Sequence, residues 1–186
     1  AGLQAGIHAT GDATTDAAIN AIIAAQNANT SVDRLNPRHY VIHGAFNGAD
    51  APRQLRRMGR HSIGYCTNPL IRFEAGAALE KLLGPERFAW HQPLASAVAA
   101  DVKFTATSDA PVTTPDWRGE IVAMTTRTTR NHSSPVMPSE RISSQAALAA
   151  MTTHAAWQDH AEMYKGSIAP GQVADLCLLE HKWPDD

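Results

Sequence analysis

Residues 6–12, GIHATGD, place His8 at the C-terminal end of a short apolar run. His43 ends a similar run in YVIHGA, and Asp109 follows another in TATSDAPV. Two imidazoles and a carboxylate carried by successive strands suit a divalent metal ion that activates water. We therefore predict that His8, His43 and Asp109 are metal ligands, and that Asp109 is also the catalytic proton acceptor.

The spacing of these three residues matches a repeated unit of one strand and one helix. A (β/α)₈ barrel of about 250 residues allots about 31 residues to each unit. His8 and His43 are 35 positions apart, and His43 and Asp109 are 66 positions apart, with the strand-like run HSIGYCTN between them. The three side chains would then end strands n, n+1 and n+3 at one mouth of a barrel, where active sites of this fold lie.

Strand and helix patterns alternate along the chain. Apolar residues recur with helical spacing in DATTDAAINAIIAAQNAN, whose start Thr15 or Asp16 can cap. Glycine and proline mark most of the boundaries between elements. We predict strands at residues 3–7, 38–43, 62–66, 104–107 and 174–179, and helices at residues 12–29, 50–59, 76–83, 92–101, 118–128 and from Ser143 or Ser144.

Composition excludes several classes of protein. The chain has 186 residues, of which 44% are hydrophobic and 18% charged, as in an ordinary globular protein. The net charge of −2 and the scattered lysines and arginines predict no nucleic-acid partner. No apolar run is long enough to cross a bilayer, so we predict no membrane partner. Cys66 and Cys177 form no CxxC pair, which fits a reducing, cytoplasmic compartment.

Four strand and helix units make half of a closed barrel. An open parallel half-sheet would leave a bare edge and uncovered apolar faces. We therefore expect a missing N-terminal half of the same protein to complete the barrel, or another member of a complex to supply the rest. The predicted organisation is the C-terminal half of a barrel over residues 1–165 and a return segment over residues 166–186.

Several motifs together resemble one known family. They are HATGD, RHYVIH, LGPERF, TSDAPV, SERISSQAALAAMT and GSIAPGQVADLCLL, and they cover nearly the whole chain in family order. The chain resembles the amidohydrolase superfamily, and within it amidohydrolase family 3 and its branch similar to N-substituted formamide deformylase. The resemblance implies an α/β fold: a metal-dependent (β/α)₈ TIM barrel with a small β-sandwich, to which the C-terminal segment contributes a strand.

The resemblance also implies roles for individual residues. His8 would end the family's fifth strand, His43 the sixth and Asp109 the eighth. The family carries a His-x-His pair on its first strand, whereas none of the nine histidines here forms such a pair. We therefore expect the chain to carry part of the site, to bind metal poorly by itself and not to turn over substrate.

Other polar residues near these positions have two readings each. Asp12 could orient a ligand imidazole or begin a helix. His39 is expected to pack in the barrel or to support a ligand, in preference to binding the ion itself. Arginines near strand and helix ends are mostly solvated or paired with acids, yet they can also meet a substrate carbonyl or carboxylate. The candidates of this second kind are Arg38, Arg72 and Arg127. Tyr65, Cys66 and Asn68 end the third strand and could line the pocket or pack in the core.

The predicted function is hydrolysis of a carbon–nitrogen bond other than a peptide bond, in an amide, formamide or cyclic amide. The predicted cofactor is a divalent metal, zinc, as one or two ions, and the partner is a small amide-type substrate. The alternatives are a non-catalytic barrel that serves as a scaffold or binds a partner, and a metal barrel that acts as a deaminase or phosphoesterase. The sequence leaves open whether copies of the chain associate into a homo-oligomer.

Overall fold

The computed structural model describes residues 3–28, 37–46, 48–181 and 183. Strands and helices alternate, as the sequence predicts. The strands are β1 (Gly6–Ala9), β2 (Tyr40–His43), β3 (Gly64–Thr67) and β4 (Phe104–Ala106). The helices are α1 (Asp12–Ala28), α2 (Ala51–Arg60), α3 (Pro69–Leu83), α4 (Pro85–Ala89), α5 (Leu94–Ala99), α6 (Trp117–Thr126), α7 (Ser144–Met151) and α8 (Thr153–Gln158), with a 3₁₀ helix at Pro138–Glu140.

The four strands form one parallel sheet in the order β1-β2-β3-β4. Strand neighbours in the chain are therefore neighbours in space, and their carboxyl ends lie along the same edge of the sheet. This is the local topology of a barrel built from successive strand and helix units. It brings the chain segments that follow β1, β2 and β4 to one edge.

The two faces of the sheet differ in burial. Val41, Tyr65 and Phe104 are register neighbours and are fully buried, and they pack in the core that the helices cover. Next to them, His8, Ile42 and Cys66 are register neighbours on the opposite face. These three are exposed or half-buried. Of the predicted ligands, His8 thus lies on the more exposed face, whereas His43 is at the end of its strand and pairs with the buried Ala9.

The predicted helix cap is confirmed for α7 and is wrong for α1. The hydroxyl of Ser143 accepts from the N–H of Ala146 at 3.1 Å, which confirms Ser143 as the cap of α7. Helix α1 begins at Asp12, so Thr15 and Asp16 lie inside its first turns and their predicted capping role is wrong. Thr15 is instead fully buried. Residue 29, the predicted end of this helix, lies outside the described residues.

Helix α3 is longer than predicted, because it begins at Pro69 and not at residue 76. A proline at the first helical position needs no hydrogen-bond acceptor and has the φ of a helix. The apolar pattern predicts neither of the short helices α4 and α8. Both are too short for a full amphipathic repeat.

The C-terminal segment differs from the prediction. The structure assigns no strand to residues 174–179, which are exposed in the described chain. A strand needs a neighbouring strand to satisfy its backbone groups, and the described residues provide none there. The domain boundary at residue 165 stays a prediction, and residues 182 and 184–186 of the return segment lie outside the described residues. Of the helices described, none has the length and apolar character that crossing a bilayer requires.

Candidate metal centre

The imidazoles of His8 and His43 lie against each other at the carboxyl edge of the sheet. Their ring centroids are 4.6 Å apart and the rings are nearly perpendicular. His8 is on β1 and His43 is the last residue of the adjacent β2. Parallel pairing places these strand ends side by side, so the fold itself brings two nitrogen donors together.

The backbone at His43 adopts an unusual conformation. Its φ is +68°, in the left-handed region that non-glycine residues seldom occupy, and Gly44 follows with a φ of +47°. The Nδ1 atom of His43 lies 2.7 Å from Oδ1 of Asn68. Such conformations persist where the surrounding structure holds them, and they concentrate at functional sites.

Asp109 lies in the turn after β4, on the same edge of the sheet as the two histidines. It is exposed and its φ is +54°. Burial raises the pKa of the Cys66 thiol at the end of β3, a hydrogen bond with Thr105 opposes this change, and the Asp109 carboxylate adds to it. Its role as a metal ligand stays a prediction.

Two of the three predicted ligands are therefore adjacent. Among the described residues, no three His, Cys, Asp or Glu side chains come close enough together to hold one ion. The pair His8 and His43 fits a divalent metal in donor type, because neutral imidazole nitrogens are common zinc ligands. A complete site needs further donors beyond this pair.

A pocket of about 350 Å³ opens beside His43. One part of its wall is polar and includes His43, Asn68 and Gln92. The other part is apolar and comes from α3, through Ile71, Leu79 and Leu83. An apolar pocket with a few convergent polar groups is the usual form of a small-molecule site.

His91 is the most buried titratable group of the pocket wall, with 6% of its surface exposed. Burial lowers its pKa to about 3, and the nearby guanidinium groups of Arg72 and Arg127 act in the same direction. The Nδ1 atom of His91 has no hydrogen-bond partner among the described residues. His91 is thus a neutral imidazole at physiological pH.

Comparison with known proteins identifies the family. A sequence profile described as "Amidohydrolase family" matches residues 1–186. The chain belongs to the amidohydrolase family. It is also 29% identical over 186 residues to Protein LONG AFTER FAR-RED 3 of Arabidopsis thaliana, an alignment that covers 99% of this chain and 31% of that protein.

Solved structures share the fold of this amidohydrolase chain. An uncharacterized metal-dependent hydrolase from Pyrococcus horikoshii OT3 superposes with a TM-score of 0.73 at 18% identity, over 93% of this chain and 33% of that one. A second, from Pyrococcus furiosus, gives 0.70 at 23% identity, over 92% and 32%. An amidohydrolase from Thermotoga maritima MSB8 gives 0.60 at 19% identity, over 92% and 36%. The chain spans about a third of each of these proteins, and its fold is part of a TIM barrel, as predicted.

Two of the other candidates lie at the opposite edge of the sheet from His43. His39 precedes β2, and its Nδ1 accepts a hydrogen bond from the N–H of Ala5 at 2.9 Å. Arg38 forms an ion pair with Glu162 at 2.5 Å and stacks on Trp157. Both residues hold the amino-terminal side of the barrel segment together, so the structure does not place them near the candidate metal centre.

Asp12 is at the start of α1, beyond His8. Its carboxylate forms an ion pair with Arg87 at 2.6 Å, and its backbone oxygen accepts a hydrogen bond from Gln54. The ion pair links α1 to α4. Of the two roles predicted for Asp12, the structure favours the start of a helix.

Arg72 and Arg127 are buried and not solvated, contrary to the usual expectation for arginine. The guanidinium of Arg127 donates to the backbone oxygens of residues 89, 91, 92 and 136 at distances of 2.7–3.2 Å. Arg72 donates to the backbone oxygen of Arg127 at 3.3 Å and stacks on Phe88. Both support the wall behind the pocket, and neither lines the pocket itself.

Sequence reasoning assigns no role to His91 or Gln92 and leaves two readings for Asn68. The structure places all three in the pocket wall. Tyr65, which has the same two readings as Asn68, instead packs against Phe46 on the helix-covered face. The run HQP at residues 91–93 carries two side chains capable of hydrogen bonding just before a helix. This pattern is the sequence feature that could have indicated His91 and Gln92 as pocket residues.

A buried carboxyl group, Glu120, supports α3 from the neighbouring helix α6. Its Oε2 accepts a hydrogen bond from the N–H of Leu70 at 2.9 Å, while Oε1 has no partner among the described residues. Burial raises the pKa of Glu120 to about 7, although the hydrogen bond from Leu70 opposes the change. Below about pH 7 the free acid is therefore the main form of Glu120 in the folded protein.

We expect Glu120→Gln to remove a pH dependence of stability. The folded-state pKa of about 7 exceeds the ordinary value of 4.5, so the folded protein binds the extra proton between these values. The free energy of unfolding should then fall as the pH rises through this window, by on the order of 3 kcal/mol at pH 8. The glutamine side chain of this variant cannot ionise and still offers an acceptor to Leu70.

Urea unfolding of the full-length protein at pH 5, 6, 7 and 8 tests this expectation. The stability of the Glu120→Gln variant relative to the unsubstituted protein should increase between pH 5 and 8. The exposed residue Glu86 provides the control variant Glu86→Gln. Parallel pH curves for the unsubstituted protein and Glu120→Gln would contradict the assignment.

Proposed function

We propose that this chain forms part of a metal-dependent hydrolase that acts on carbon–nitrogen bonds other than peptide bonds. The substrate class is an amide, formamide or cyclic amide, and the metal is zinc, as one or two ions. The observation that carries the proposal is the contact between His8 and His43, whose ring centroids are 4.6 Å apart at the carboxyl edge of a parallel sheet. Active sites of TIM-barrel enzymes lie at this edge.

Each of the three predicted site residues has a role in the proposal. His8 and His43 hold the ion, together with donors from the remainder of the protein. A bound divalent ion lowers the pKa of its water and polarises a carbonyl group. The Asp109 carboxylate accepts the proton of the attacking water and delivers it to the nitrogen that leaves.

The pocket beside His43 supports a neutral substrate. The apolar side chains of α3 exclude water from one side, and His91 is uncharged. The buried guanidinium groups of Arg72 and Arg127 stand behind the wall, so a cationic substrate would meet an unfavourable potential. An uncharged amide carries no such cost.

The test uses the full-length protein, with its metal content measured first. We expect bound divalent metal, hydrolysis of formamides, linear amides or cyclic amides, loss of this activity with a chelator and recovery with added zinc. The His43→Ala variant should lose both metal and activity. A phosphomonoester and an adenine derivative are assayed in parallel as substrates of the other metal-barrel chemistries.

The outcomes separate the alternatives. Metal-dependent turnover of the phosphomonoester or the adenine derivative, without turnover of any amide, would replace the proposed reaction with a phosphoesterase or deaminase. A full-length protein that binds no divalent metal would favour the non-catalytic scaffold. Amide hydrolysis that survives chelation would contradict the role of the ion.

A further inference from the structure

Asn68 occupies the cap position of α3 but does not use its side chain there. Asparagine is among the best helix caps, because its side-chain oxygen can accept from the first free N–H groups. Within the described chain the Asn68 side chain makes no such bond. The N–H of Leu70 donates to Glu120 instead, at 2.9 Å. Because Glu120, fifty positions after Leu70, accepts this hydrogen bond, the Asn68 amide can make other contacts.

The amide of Asn68 connects two strand ends. Its Nδ2 donates to the backbone oxygen of Thr107 at 2.9 Å, and its Oδ1 lies 2.7 Å from Nδ1 of His43. His43 ends β2, and Thr107 is the first residue after β4 and two positions before Asp109. Asn68 is 2% exposed, so water does not compete for these contacts.

The contact with Thr107 fixes which way the amide faces. A backbone carbonyl oxygen can only accept, so the atom next to it must be the amide nitrogen. The amide oxygen then faces His43, and an oxygen without hydrogen can only accept. The proton of a neutral His43 must therefore be on Nδ1, which leaves the lone pair on Nε2.

We propose that Asn68 is a positioning residue, which sets the tautomer of His43 and joins the end of β2 to the segment that carries Asp109. It acts through His43 and touches no reacting atom. The contact with Asn68 holds the ring at a position where the backbone φ is +68°, a conformation that persists only where the surrounding structure maintains it. The inference rests on the proposed function in one respect: the Nε2 lone pair is assigned to a metal ion.

The first test is the tautomer itself, in the metal-free full-length protein labelled with ¹⁵N-histidine. The two ring nitrogens of His43 are assigned by comparison with a His43→Gln spectrum. We expect a proton on Nδ1 in the unsubstituted protein and a mixture of both tautomers in Asn68→Ala. A proton on Nε2 in the unsubstituted protein, or no change in Asn68→Ala, would overturn the proposal.

Asn68→Asp separates positioning from stability. The carboxylate still accepts from Nδ1 of His43, but its other oxygen faces the Thr107 carbonyl and repels it. We expect this variant to keep the His43 tautomer while losing stability to urea. Gln26→Ala is the control, because it also removes an amide contact to a backbone oxygen, that of His61 at 3.0 Å, at the far end of α1. The control should leave the His43 spectrum unchanged.

The second test is metal affinity, measured with Co²⁺ and Zn²⁺ by competition with a chelator. Removing a group that orients a ligand imidazole typically weakens metal binding about 10- to 100-fold. We expect that loss in Asn68→Ala and a smaller one in Asn68→Asp. An affinity in Asn68→Ala equal to that of the unsubstituted protein would overturn the positioning role. If the full-length protein bound no metal while His43 kept its Nδ1 proton, the proposed function would fail and the role of Asn68 would stand.

Discussion

Replacing Asp109 with asparagine in the full-length protein should lower kcat by about 10²- to 10⁴-fold, the usual range for losing a general acid–base group. An amide cannot accept the proton of the attacking water or pass it to the leaving nitrogen. Because His8 and His43 remain, the metal content should stay largely intact. Steady-state kinetics with an amide substrate, together with metal analysis of the same samples, measures both quantities.

The Asp109→Asn variant should keep the fold. The φ of Asp109 is +54°, and asparagine tolerates this left-handed region as well as aspartate does. Asp101 provides a matched control, since its φ is +53°, its side chain is 88% exposed and it lies before β4 instead of after it. Asp101→Asn should keep full activity. Unchanged kcat in Asp109→Asn with metal bound would refute the catalytic role of Asp109.

The approach of His8 to His43 was predictable because it follows from topology. Apolar runs of strand length, separated by helical patterns, predict parallel strands whose carboxyl ends share an edge. A histidine at the end of each of two neighbouring strands must then lie near the other. The position of Asp109 relative to them depends on the turn after β4, and no periodic pattern constrains that turn.

The start of α3 shows where local reasoning fails. The run TNP at residues 67–69 is typical of a helix cap followed by a first-turn proline, yet the side chain that caps the helix is Glu120. Fifty positions separate Glu120 from Leu70. A side chain that is supplied from so far along the chain leaves no trace in the local sequence.

The strand predicted at residues 174–179 was wrong for a related reason. Its apolar residues fit a strand, and the structure assigns no strand to them. Sequence reports the tendency of a segment to pair, whereas a strand forms only where a partner strand lies beside it. Leu178 is 98% exposed, and no strand of the described chain lies beside it.

Arginines are the residues whose roles the sequence predicted least well. A long side chain reaches several ångströms from its backbone, so its burial depends on tertiary contacts that sequence position does not reveal. Arg127 stands at the end of α6, where arginine is usually solvated, yet only 1% of it is exposed. Its guanidinium donates to four backbone oxygens.

Arg127→Met should therefore lower the free energy of unfolding by about 3 kcal/mol. Four backbone oxygens would lose a donor, two of these contacts are buried, and each buried unpaired polar group costs about 1–3 kcal/mol. Arg127→Lys should recover a minor part, since one ammonium group cannot reproduce the planar fork of donors. Arg118→Met, on an exposed position of α6, should change stability by less than about 0.5 kcal/mol. Urea unfolding of the full-length variants measures all three.

The same variants decide between a structural and a substrate-binding role for Arg127. If Arg127 supports the wall behind the pocket, Arg127→Lys should lower the unfolding midpoint and leave KM nearly unchanged. A residue that meets a substrate carbonyl should raise KM in Arg127→Lys with little change in that midpoint. Because Arg127 donates to the backbone of both His91 and Gln92, which line the pocket, we expect the first pattern. The second would return Arg127 to the substrate contacts that the sequence predicted.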